Sequence, residues 1–168
     1  MSRTAVRAAI QQYLSNADIT FLGTVFAHPP KWTNESDFTA GGYPGQGSGV
    51  VMYIHLRHQS EMRIALGGAT SGTKMRPYKC YLICLLNSKK PHAEDCDADN
   101  DLFLDSLTAT IEANRNAGSP AAIFQWGEGD TLYGVDIKVD TRFPRTIRGQ
   151  AMRQFSLVEV TVMEQINT

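Results

Sequence analysis

The residues of this chain that could hold a metal ion are three cysteines and a histidine. Cys80 and Cys84 are four positions apart in YKCYLICLL, and His92 and Cys96 follow with the same spacing. In a strand rising about 3.3 Å per residue, Cys80 and Cys84 would lie roughly 13 Å apart, whereas two thiolates on one zinc are at most ~4.6 Å apart. We therefore expect reduced thiols in the core, with no metal and no cofactor.

Two further motifs are weak signals of chemistry. His55 and His58 on a strand point to opposite faces and do not form a ligand pair. The segment Gly67–Lys74, GGATSGTK, is similar to a phosphate-binding loop in composition, but a strand follows it where a helix N-terminus is required. We interpret Gly67–Lys74 as a flexible turn. Because no nucleophile stands beside a base, the sequence predicts no catalytic residues.

Acidic side chains crowd into one segment, from Glu94 to Asp105, which includes Asp97, Asp99 and Asp101. It lacks the glycine and the terminal glutamate of a calcium loop. Its carboxylates suit the free amides and the positive dipole end of a helix N-terminus. Helix capping is therefore the simpler interpretation, and contact with a basic surface is the alternative.

Basic side chains crowd into a second segment, which also carries two large apolar residues. Its members are Arg142, Phe143, Arg145, Ile147, Arg148 and Arg153. The segment is either a solvated loop or an interaction surface for phosphates or for an acidic patch, with Phe143 and Ile147 as apolar anchors. Head-to-tail contact between the acidic and basic segments of identical subunits would be able to close a ring.

The elements that must position these residues follow from hydrophobic periodicity. Apolar residues at three- and four-residue steps predict amphipathic helices over Thr4–Leu14 and Asp99–Asn116. Runs of β-forming residues predict strands over Thr20–Ala27, Val50–Arg57, Glu61–Leu66, Tyr78–Leu86, Ala121–Trp126, Thr131–Asp140 and Phe155–Gln165. This order predicts an α+β fold, a mostly antiparallel β-sheet with two α-helices packed on one face.

Three of the strands carry further expectations. Tyr78–Leu86 is apolar on both faces, which is typical of a strand that is covered on both sides, and the second cover is expected from a hairpin or a neighbouring subunit. Ala121–Trp126 and Thr131–Asp140 are expected to pair as a hairpin. The terminal strand is the candidate exposed edge that extends a neighbour's sheet, with Val158, Val160 and Val162 on one face.

Length and composition indicate one domain over residues 1–168, with a long, glycine-rich, flexible loop over Lys31–Gly49. A formal net charge of -1 gives no global argument for nucleic acid binding. No apolar run reaches the roughly 18 residues of a membrane-spanning helix, and no signal-peptide pattern is present. We therefore expect a soluble intracellular protein with no membrane partner.

The order of elements resembles that of the tail terminator proteins of long-tailed (siphovirus-type) phages. The resemblance is carried by a first helix with VRAAIQQYL, a strand and proline turn with TFLGTVFAHPPKW, the apolar strand YKCYLICLL, the acidic-start helix, and a final pair with GDTLYGVDIKVD and SLVEVTVMEQ. It covers Thr4–Trp32 and Tyr78–Glu164 and rests on order and pattern. The segments Lys31–Gly49 and Gly67–Lys74 depart from it.

The resemblance implies a structural protein of the virion that is assembled in the host cytoplasm and is not an enzyme. A homohexameric ring would cap the tail tube and dock the head connector or stopper protein. Its partners would be copies of itself, the tail tube protein and that connector, and DNA would pass through the lumen without specific recognition. The alternatives are another neck or head-completion protein, a small enzyme, and a small nucleic-acid-binding module that uses the arginine segment.

Overall fold

The computed structural model describes residues 3–29, 48–59, 62–63, 73–113, 124–127, 135–147 and 151–167. Within these ranges two helices and eight strands follow one another. They are α1 (Arg3–Asn16), β1 (Leu22–Phe26), β2 (Ser48–Gln59), β3 (Met62–Arg63), β4 (Thr73–Ser88), α2 (Ala93–Ala113), β5 (Gln125–Trp126), β6 (Ile137–Thr141), β7 (Arg145–Ile147) and β8 (Ala151–Asn167). No helix in these ranges is both long and apolar enough to cross a membrane.

The sheet is built around the long antiparallel pair β4 and β8, whose residues pair from Thr73 with Asn167 to Ser88 with Met152. Strand β2 pairs with the other side of β4, and β1 extends the sheet beyond β2 as its parallel neighbour. Strands β5, β6 and β7 each pair with β8 along different stretches. The predicted α+β fold with a mostly antiparallel sheet is confirmed.

Even-numbered side chains of β2, β4 and β8 form the covered face of the sheet, because paired residues of antiparallel strands point to the same side. Both helices pack on this face, and the buried helix residues include Val6, Ile10, Leu14, Phe103, Leu107 and Ile111. The Tyr13 hydroxyl of α1 donates to the Thr110 carbonyl of α2 over 3.1 Å and joins the two helices. Burying each large apolar side chain contributes roughly 1.5–3 kcal/mol before entropy is counted.

The opposite side of the sheet carries the odd-numbered side chains of β2, β4 and β8. Those of β2 include Val51 and Tyr53, which are buried. We call the part formed by β4 and β8 the odd face. Its apolar members are partly exposed; they are Tyr81, Ile83, Leu85, Phe155 and Leu157. They form direct cross-strand pairs, Leu85 with Phe155 and Ile83 with Leu157. Of the two covers predicted for Tyr78–Leu86, the structure shows a complete one on the even-numbered face, and the odd face stays partly exposed.

The prediction that the terminal strand is an exposed edge is wrong. Val158, Val160 and Val162 are buried, and each lies opposite a β4 residue on one side of β8. On the other side, Val158 and Val160 pair with β6 and Val162 pairs with β5. Strand β8 is an internal strand because three short segments, β5, β6 and β7, pair along its outer side.

Two other strand predictions are also corrected. The predicted hairpin between Ala121–Trp126 and Thr131–Asp140 is wrong, since β5 and β6 both pair with β8 within the described residues. The arginine segment is not simply a loop, because Arg145 lies in β7 and Arg153 lies in β8, directly opposite each other.

The predicted loops lie mostly outside the described residues. The segment Lys31–Gly49 ends earlier than expected, because Ser48 and Gly49 already belong to β2, and residues 31–47 lie outside the described ranges. Likewise, Thr73 and Lys74 belong to β4, and residues 67–72 lie outside.

Candidate interaction site

Helix α2 begins at Ala93, six residues before the predicted start, so Asp97, Asp99 and Asp101 lie inside the helix and do not cap it. Glu94 and Asp95 occupy the first turn instead, where carboxylates favour the positive end of the helix dipole. The sequence hid this start because Asp99 and Asn100, which are polar, take core-facing positions that hydrophobic periodicity expects to be apolar.

Asp99 is buried, and both of its carboxylate oxygens accept hydrogen bonds. Its Oδ2 lies 2.5 Å from the Ser48 hydroxyl, and its Oδ1 accepts from the Lys90 ammonium at 2.9 Å. Ser48 and Ser88 have their hydroxyl oxygens 2.9 Å apart, and Ser88 accepts from the Lys90 backbone amide. Because a carboxylate only accepts and Ser48 has one proton, Ser48 donates to Asp99 and Ser88 donates to Ser48. The hydrogen bond to Asp99 raises the pKa of Lys90.

Two further polar contacts hold the same half of α2 on the sheet. The Gln154 amide donates to Asp97 at 2.6 Å, and the buried Ser156 hydroxyl donates to Asn100 at 2.9 Å. Asp97 and Asp99, which the sequence indicated as interface residues, are therefore engaged within their own chain. Of the three predicted acidic interface residues, Asp99 is buried and unavailable to a partner, whereas Asp97 and Asp101 are exposed.

Four of the exposed acids of α2 form one line along the helix, which we call the acidic stripe: Glu94, Asp101, Asp105 and Glu112. Their spacings of seven, four and seven residues place them on one face of an α-helix. None forms an ion pair within the part of the chain that the structure describes. Leu102, which is 55% exposed, lies beside Asp101 and Asp105 and adds an apolar contact point.

A pocket of about 180 Å³ lies on the other side of the molecule, and we call it the arginine pocket. Its lining residues are Arg142, Phe143, Arg145, Arg153 and Phe155. The structure thus brings together three of the predicted interface residues, Arg142, Phe143 and Arg145. Arg148 lies outside the described ranges, and Ile147 is placed only as the last residue of β7.

The arginine pocket concentrates positive charge. Arg145 and Arg153 are direct cross-strand neighbours, an arrangement that is destabilising for like charges. The Arg153 Nε is fixed by the Asn87 amide oxygen at 2.8 Å, and the Arg142 guanidinium lies 5.1 Å from the Phe155 ring centroid. Within the described residues no carboxylate forms an ion pair with these arginines. The pocket therefore offers oriented guanidinium groups to an anion.

The arginine pocket is continuous with the odd face of the sheet. Phe155 lines the pocket and pairs with Leu85 on β4. Its backbone carbonyl accepts a hydrogen bond from the Arg142 backbone amide at 3.0 Å. Phe143 stands at the rim and is 92% exposed. The arginines are predictable from their density in the sequence. Phe155 is not, because its place in the pocket depends on how β8 aligns with the segment around Arg142.

The three cysteines are free and buried, as predicted. Burial raises the pKa of the Cys80 thiol to about 12 and that of Cys96 to about 11, and it raises the pKa of Cys84 further. Among the described residues, no group of three or more histidine, cysteine, aspartate or glutamate side chains is placed to hold a metal ion.

Comparison with known proteins gives no family assignment. The chain matches no protein-family model, and a search of curated proteins finds no match.

Proposed function

We propose that this chain is a structural subunit of a homo-oligomeric ring, of the kind that tail terminator proteins form at the end of a phage tail tube. Such a ring caps the tube and offers a docking surface to the head connector. The resemblance of the element order supports this assignment, and so do the surfaces that the folded chain presents.

The observation that carries the proposal is the odd face of the sheet. Tyr81, Ile83 and Leu85 on β4 lie beside Phe155 and Leu157 on β8, and all are partly exposed. Contiguous apolar side chains that stay open to solvent on a sheet face are suited to cover by a protein partner. Because the patch ends at the arginine pocket, it combines an apolar centre with a charged rim, which is typical of specific protein interfaces.

Light scattering over a range of protein concentrations tests the proposal through the molar mass of the wild-type chain. We expect a ring-sized assembly, and a monomer at every concentration would contradict the proposal. Ile83→Asp, which adds a charge to the odd face, is expected to lower the mass. Gln12→Asp, at an exposed site on α1, is the matched control and should leave the mass unchanged.

A second candidate function, nucleic acid binding, is favoured by one observation: the exposed Phe143 ring stands among three arginines. Guanidinium groups and a free aromatic ring can hold a strand through its phosphates and by base stacking. This candidate predicts DNA affinity that falls steeply with salt and is lost in Phe143→Ala. If the wild-type protein binds neither duplex nor single-stranded DNA at low salt, nucleic acid binding is eliminated.

A further inference from the structure

Two surfaces of the chain carry uncompensated charge of opposite sign. In the acidic stripe, Asp101 and Asp105 are four residues apart on one helix, a spacing at which like charges repel each other. In the arginine pocket, Arg145 and Arg153 face each other across two strands. Each surface would be stabilised by a partner of the opposite charge, and the described residues of its own chain supply none.

The two surfaces also match in apolar character. The large apolar side chains that are strongly exposed in the described residues are Leu102, Val139 and Phe143. Leu102 lies beside the acidic stripe, and Phe143 lines the arginine pocket. Each charged surface therefore carries one large apolar side chain that a partner can cover.

The positions of the two surfaces prevent them from meeting within one chain. Helix α2 lies on the even-numbered face of the sheet, and its acidic stripe faces away from the sheet. The lining of the arginine pocket includes Arg153 and Phe155, which belong to the odd face. Surfaces on opposite sides of the sheet can pair only between molecules, and unlike surfaces produce heterologous, head-to-tail contacts.

We propose that the acidic stripe of one copy docks into the arginine pocket of the next. Asp101 and Asp105 accept hydrogen bonds from Arg142 and Arg145, while Leu102 packs against Phe143. Head-to-tail repetition closes into a ring or continues as a filament, according to the rotation between copies. The inference rests on the proposed function only in that both require association between copies.

Charge exchange between the two surfaces tests this pairing in the full-length protein. The pocket variant carries Arg142→Glu and Arg145→Glu, and the stripe variant carries Asp101→Arg and Asp105→Arg. Each alone is expected to weaken self-association about 100-fold, because like charges then face each other at the contact. An equimolar mixture restores the assembly, since alternating copies pair at every contact. Arg57→Glu and Asp18→Arg, both at exposed sites outside the two surfaces, are the controls and should not change it.

Light scattering and sedimentation of each variant and of the mixture give outcomes that separate the two proposals. Wild-type assembly that both variants preserve overturns this pairing and leaves the proposed ring intact. Loss of assembly in each variant without rescue in the mixture also overturns the pairing, because the surfaces then contact other partners. A wild-type monomer at every concentration overturns both proposals. A pocket variant that keeps the wild-type mass but loses affinity for duplex DNA assigns the arginine pocket to nucleic acid.

Discussion

The buried carboxylate of Asp99 gives the sharpest prediction about stability. It accepts from the buried Ser48 hydroxyl and from the Lys90 ammonium, and it lies where hydrophobic periodicity expects an apolar residue. Asp99→Ala removes both interactions and leaves the Ser48 hydroxyl without its charged acceptor. We expect this substitution to weaken the attachment of the N-terminal half of α2 to the sheet.

The magnitude follows from the burial of each partner. Losing a hydrogen bond from a buried hydroxyl to a carboxylate costs about 1.5–3 kcal/mol. The Lys90 side chain is partly exposed, so water replaces much of its contact with Asp99. Alanine favours a helix over aspartate by about 0.5 kcal/mol, which offsets part of the loss. We expect the free energy of unfolding to fall by about 2 kcal/mol.

Urea denaturation followed by far-ultraviolet circular dichroism measures this loss. Asp101→Ala is the matched control, because it makes the same change in the same helix at an exposed site. It gains the helix propensity of alanine without losing a buried partner, so its stability should equal or slightly exceed that of the wild type. Equal stabilities for Asp99→Ala and Asp101→Ala would refute the assignment of Asp99 as an anchor.

Three further predictions concern the core and the sheet. Phe103→Ala, at a fully buried position on α2, should lower the free energy of unfolding by about 3–5 kcal/mol in the same denaturation assay, and a loss below about 1 kcal/mol would show that the site is not close-packed. Val160→Pro should abolish folding, as seen by circular dichroism, because β8 is paired on both sides; a folded variant would show that this stretch tolerates the loss of a sheet hydrogen bond. Thiols of the unfolded chain ionise near pH 9, whereas burial raises the pKa of Cys80 to about 12. The free energy of unfolding should therefore fall as the pH rises from 9 to 12, and that of Cys80→Ala should fall less steeply over the same titration.

Much of the fold is predictable from local patterns. Three- and four-residue spacing located the buried face of α2 through Phe103, Leu107 and Ile111, and alternation located both faces of β4. These elements were predictable because their burial follows the period of a helix or a strand. The start of α2 was not, because the core-facing Asp99 and Asn100 are polar, and they accept hydrogen bonds from Ser48 and Ser156 in other elements of the fold.

The remaining differences between the predicted and the observed fold concern which strands pair. Strand β8 looked like an exposed edge because no sequence pattern indicates that β5, β6 and β7 all return to its outer side. The candidate site was predictable in part. Charge density identified Arg142 and Arg145, whereas the contribution of Phe155 depends on tertiary register.

In the proposed ring, copies of this chain stand side by side around a central opening. Negative-stain electron microscopy of the purified wild-type protein would image such a ring. We expect end-on class averages with sixfold symmetry around a central opening. Uniform particles of the size expected for a single 18.5-kDa chain, with no rings at any protein concentration, would contradict it.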